Sequence, residues 1–147
     1  IALSCIDRLD LCRQLFGKIY IATSVYEECK AGGPIQVPDL VSLPWITIVN
    51  PQGYATPHLL LELDLGEKDT LTLAHALKAD WVLVDEKMGR NLAELLGLKV
   101  TGTLGVLLKA RQQGLIPSFR NAVKQMCDQG IYFSPGLIEK LAVRIGE

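Results

Sequence analysis

The hydrophobic pattern is clearest from Asp64 to Arg90, DLGEKDTLTLAHALKADWVLVDEKMGR. Leu71, Leu73, Ala74, Ala76, Leu77 and Ala79 recur at helical spacing and give a wide apolar face. Trp81 to Val84 is a β-prone run that stops at Asp85. This stretch therefore predicts a helix, a tight turn, a short strand and an acidic–basic cluster where the strand ends. Upstream, Ile1 to Phe16 predicts a helix closed by Gly17, and Lys18 to Ala22 a strand. Ser24 and Glu27 form an S-x-x-E capping box opening a helix that Gly32, Gly33 and Pro34 stop. Pro38 to Leu43 predicts a helical turn, Trp45 to Val49 a strand, and His58 to Leu63 a helix. Asp64 and Glu67 read as a second cap.

Downstream, Lys87 to Leu96 predicts a helix closed by Gly97, and Leu98 to Val100 a strand. A polar turn at Thr101–Thr103 leads into a helix from Leu104 to Gln113. Ser118 to Gln129 is amphipathic, with Val123 and Met126 facing inward. Ser134 and Pro135 open a last helix by the cap-then-proline signature. Strands alternating with helices predict an α/β fold, a three-layer α/β/α arrangement on a central parallel sheet with a helical C-terminal appendage. A chain of 147 residues predicts one domain, with residues 1–114 as α/β core and 115–147 as helical tail.

Composition narrows the function. Hydrophobic residues make up 49% of the chain, enough for a core, but no run reaches the roughly 18 apolar residues of a membrane span. The net charge of -1 excludes a protein that grips nucleic acid by bulk charge. Contact with phosphates must then be local or bridged by cations. The four cysteines form no CxxC pair and lie far from His58 and His75, which argues against zinc and for thiols packed in a reducing cytosol. His75 reads as structural.

Asp69 is aligned with Leu73 and Ala76, so its side chain is expected to lean toward the buried face. Asp85 lies just past a strand, where open α/β sheets place ligands. The two carboxylates are therefore candidates to share one crevice. Each acid also has a plainer reading. Glu28 suits a solvated first turn, Glu67 a cap, and Asp85 a cap on the following helix. Lys87 and Arg90 either meet a phosphate or pair with Glu86 and Glu94. Thr101 and Thr103 reach the crevice or cap a helix. Spacing alone predicts an acidic pocket and no particular reaction.

The order Glu28, Asp69, Asp85 on this framework resembles the PIN domain family. The likeness is carried by TSVYEEC, LDLGEKDTLTLAHALKADWVLVDEKMGR, LGLKVTGTLGVLLKARQQGLI and SFRNAVKQMCDQGIYFSPGLIEKLA. It is closest to a prokaryotic PIN-like group described as nucleic-acid-binding. The resemblance implies a metal-dependent ribonuclease of single-stranded RNA, like the VapC-type toxins of toxin–antitoxin pairs. It places the catalytic, metal-binding acids at Glu28, Asp69 and Asp85, with Glu67 as a further ligand, and it implies Mg2+ or Mn2+. Lys87, Arg90, Lys68 and Thr103 become candidate nucleic-acid contacts. An antitoxin protein, a homodimer and a cytoplasmic location follow from the same likeness. PIN domains begin with a strand that ends in aspartate, whereas this chain opens at IALSCIDRLDLC, which looks like the helix after that strand. The strand and its acid are expected upstream of Ile1, leaving a sheet edge exposed.

The chemistry suits those residue types. In-line displacement at a phosphodiester needs charge stabilised on the entering and leaving oxygens, which hard divalent ions on carboxylates supply while activating water. The competing reading is a catalytically inactive PIN-like module that binds nucleic acid or protein. A small-molecule-binding α/β domain finds no GxGxxG or P-loop here.

Overall fold

The structure, a computed structural model, describes residues 1–147. Its helices are α1 (Asp10–Phe16), α2 (Thr23–Ala31), α3 (Leu65–Ala76), α4 (Lys87–Leu95), α5 (Thr103–Gln112), α6 (Phe119–Asp128) and α7 (Pro135–Arg144). Its strands are β1 (Ile19–Ala22), β2 (Ile46–Val49), β3 (Val82–Leu83) and β4 (Val100–Thr101). The alternation is that of an α/β protein. The strands form two parallel pairs. Ile19 to Ala22 match Ile46 to Val49, and Val82–Leu83 match Val100–Thr101. No ladder joins one pair to the other, so the expected single sheet is split. No helix is long and apolar enough to cross a membrane.

Each pair has its own apolar support. The larger cluster gathers Leu11, Val106, Leu107, Phe119, Val123 and Met126 from α1, α5 and α6, with Ala142 of α7 closing it. Ile19 of β1 packs on its border. The smaller cluster sets Leu60, Leu71 and Ala74 against Val82, Val84 and Ala93. Burying such side chains is worth about 1.5–3 kcal/mol each, so α3 is clamped to β3 and α4 with little freedom to roll. Between the halves, Phe16 and Trp81 meet with ring centroids 6.4 Å apart. The ammonium of Lys109 sits 4.9 Å from the Phe16 ring centre and 5.5 Å from that of Trp81.

Several local expectations change. The opening helix is two pieces, because Asp7 takes a left-handed conformation (φ 53°) between a 3-10 turn at Ser4–Ile6 and α1. His58–Leu60 is likewise only a 3-10 turn. Neither capping box forms. Ser24 lies inside α2 and gives its hydroxyl to Asp69, while the Asp64 side chain makes no cap bond. The turn after α3 depends on Lys78 at φ 50°, which lets the Ala79 amide donate back to the Ala74 carbonyl at 2.9 Å. At the other end, burial alone would raise the Glu147 carboxyl. The Arg120 and Phe119 amides, the Arg111 guanidinium and the Ser118 hydroxyl donate to it and hold it down at about 2.

The Lys109 bridge gives a direct test. Lys109→Met keeps the aliphatic stem and removes both cation–π contacts. It is expected to lower unfolding free energy by about 1 kcal/mol, read by urea denaturation.

Candidate active site

α3 carries the centre of the site because it starts between the two strand pairs. Gly66 and Glu67 lie in its first turn. With Glu28 of α2 and Asp85 beyond β3, they line one open cavity of about 590 Å3. Glu62, Asp64 and Glu86 line it too, and no lysine or arginine does. The crevice is therefore a concentrated negative potential on a chain of net charge -1.

Each of the three central carboxylates rests on a glycine. A methyl group on Gly66 would lie 2.7 Å from Glu28 Oε1, one on Gly89 2.9 Å from Glu67 Oε1, and one on Gly102 2.7 Å from Asp85 Oδ1. A side chain at any of these positions would push its acid away. Asp85 is fixed further. Oδ1 accepts from the Thr103 amide at 2.7 Å and Oδ2 from the Thr103 hydroxyl at 2.6 Å. Asp85 thus caps α5 rather than α4, tying the end of β3 to the start of the next helix but one. Arg90 completes the clasp by donating to the Val84 carbonyl at 3.0 Å.

Glu67 is held differently. Its Oε1 is buried and has no hydrogen-bond partner. Burial, then the charges of Glu86 and Asp64, raise its carboxyl above the usual range. Buried acceptors left unpaired are rare, so this oxygen needs a ligand or a proton.

The expected set is partly rearranged. Glu28, Glu67 and Asp85 share the cavity, but Asp69 does not. It accepts the Ser24 hydroxyl at 2.6 Å and lines a second cavity. Two residues advance about 200° around a helix, so Glu67 and Asp69 project to opposite sides of α3. Thr103 is buried and spent on Asp85, and Arg90 is spent on the Val84 carbonyl, so neither is a free contact for nucleic acid. Lys87 is exposed at the start of α4 and Lys68 half-buried on α3, neither lining the crevice. His75 is exposed.

The sequence reading missed the three glycine seats and the Thr103 clamp. Only the spacing of Gly66, Gly89 and Gly102 around the acidic run hinted at them.

No three acidic, histidine or cysteine side chains stand close enough together to hold an ion. The chemistry of the cavity still fits a hard divalent cation, with carboxylate oxygens throughout and one buried oxygen lacking a partner.

Two helix-borne acids and one strand-end acid thus line a single cavity of an α/β domain. A family model described as PIN domain matches residues 1–147, and the chain belongs to the PIN domain family. No curated protein and no solved structure matches it.

Two outcomes follow. Ionising Glu67 costs the fold stability because its folded carboxyl titrates above its unfolded one. The penalty is absent below the unfolded value and complete once pH exceeds the raised folded one. Glu67→Gln is therefore expected to melt higher than wild type at pH 7 without divalent ions, the gap closing on acidification below about pH 4.

The glycine seats differ in rigidity. Gly102→Ala displaces an acid held at both oxygens and should cost roughly 1–3 kcal/mol. Gly66→Ala meets only the end of exposed Glu28 and should be neutral, or stabilising by up to about 1 kcal/mol. Thermal melts of the two variants read the difference.

Proposed function

We propose that this protein hydrolyses phosphodiester bonds of single-stranded RNA with the help of Mg2+ or Mn2+. The observation that carries this reading is the buried, unpartnered Oε1 of Glu67 in the cavity shared with Glu28 and Asp85. Glu67, Asp85 and Glu28 line the cavity that would receive the ion. When bound, it supplies a Lewis acid and lowers the pKa of water.

The chain's own residues prepare that chemistry. Thr103 fixes both Asp85 oxygens, so this carboxylate meets a ligand without reorganising. Gly66 and Gly89 let Glu28 and Glu67 close on the floor of the crevice. Burial and the neighbouring acids raise the Glu67 carboxyl, so its charge is one that a bound cation would relieve. Cation binding also relieves the repulsion that six acids present to a polyanion. Lys87 and Lys68, next in sequence to the lining residues Glu86 and Glu67, would meet neighbouring phosphates of the strand.

The test is cleavage of a labelled single-stranded RNA in Mn2+. Glu67→Gln and Asp85→Asn should each slow it on the order of 100-fold or more. Equal rates in wild type and both variants would end the reading. The non-catalytic module rests on the absence of a close three-acid cluster. Tight RNA binding, with no Mn2+ heat in calorimetry and no cleavage, would favour it.

A further inference from the structure

One face of α4 belongs to the protein and the other to water. Gly89 and Ala93 are buried, and Leu92 and Leu96 are half-buried against the smaller apolar cluster. Lys87, Met88, Asn91, Glu94 and Leu95 are all exposed. They follow one another at steps of one, three, three and one, the spacing of a seam by which one helix pairs with another. Two large apolar side chains stand in that seam. Met88 is 57% exposed and Leu95 76%, more than any other leucine of the chain.

The charges of the seam are self-complementary. Neither Lys87 nor Glu94 makes an ion pair within the chain. Seven residues return a helix to within about 20° of its starting direction, so the two stand along one edge of the seam. Met88 and Leu95, also seven apart, stand along its centre. Two copies packed parallel would set lysine level with lysine and glutamate level with glutamate. Packed antiparallel about a two-fold axis at Asn91, each Lys87 comes beside the partner's Glu94, and each Met88 beside the partner's Leu95. Asn91 then faces its own counterpart, and a buried asparagine pair of this kind fixes register. A surface that complements itself under a two-fold is what a second copy requires. One charge of each sign gives a polyanion no net attraction to it.

We propose that two copies of this chain associate through α4, antiparallel about an axis at Asn91. The ribonuclease reading is not needed for this. The antiparallel order sets the two acidic crevices at opposite ends of the seam, because Asp85, Glu86 and Met88 line each crevice at the start of its own α4. Lys87 and Glu94 lie at the rim of the contact, where water still reaches both.

Stable dimers bury about 800 Å2 per partner, and the outer face of a nine-residue helix covers less, so the dissociation constant is expected on the order of 100 μM. Sedimentation equilibrium of the whole chain from about 10 μM to about 1 mM should therefore show monomer and dimer in exchange. Leu95→Lys sets an ammonium beside the partner's Met88 and Lys87 and should weaken association at least about tenfold. Leu95 is exposed, so the fold is not at stake. Glu94→Lys should weaken association about fivefold, and Lys87→Glu combined with Glu94→Lys should restore it, because the pair is then only reversed. A monomer at every concentration, a dimer indifferent to Leu95→Lys, or a double variant as weak as Glu94→Lys alone overturns the assignment.

Discussion

The bond pair between Asp85 and Thr103 is the constraint on which the site depends. One carboxylate takes both an amide and a hydroxyl, so it satisfies the first turn of α5 and loses its own rotational freedom. Gly102 must stay bare for that approach, and Arg90 must hold the Val84 carbonyl. Strand end, helix start and acid therefore form one unit. The smaller apolar cluster then brings Glu67 to that unit, since Leu71 and Ala74 of α3 pack against Val82 and Val84.

The two polar cavities show how a single helix sets two carboxylates in different surroundings. Glu67 and Asp69 have the same functional group and nearly the same address, yet their surroundings diverge. Glu67 lies among other acids with a buried oxygen unpaired, so its charge is costly until something binds. Asp69 is paired with a hydroxyl among neutral polar groups. Proximity in sequence is a poor guide to shared function when helical phase separates two side chains.

Much of the architecture was legible beforehand. Strand–helix alternation, the strand stopping at Asp85, and the glycine stops all reflect short-range steric and hydrophobic rules. The site was legible less evenly. Glu28, Glu67 and Asp85 line one cavity, whereas Asp69, aligned with the apolar stripe because Leu73 follows it by one turn, lines another. Leu71 stands in the same relation to Glu67 and is buried as fully. The apolar stripe is wide enough to admit both, and only the partner elements decide between them. The capping boxes failed for a related reason. Ser24 bonds Asp69 across α2 and α3, and Glu67 turns into the acidic crevice, neither of which local pattern displays. The split of the sheet likewise depends on which strands pair, which hydrophobic periodicity does not specify.

Glu28 is carried by α2 beside β1, whereas Glu67 and Asp85 belong to the half built on β3, and no ladder of amides joins the two strand pairs. What ties α2 to α3 is helix-on-helix packing and the bond from the Ser24 hydroxyl to Asp69. The separation of Glu28 from the other two acids is therefore fixed by how two helices seat on each other, not by strand register.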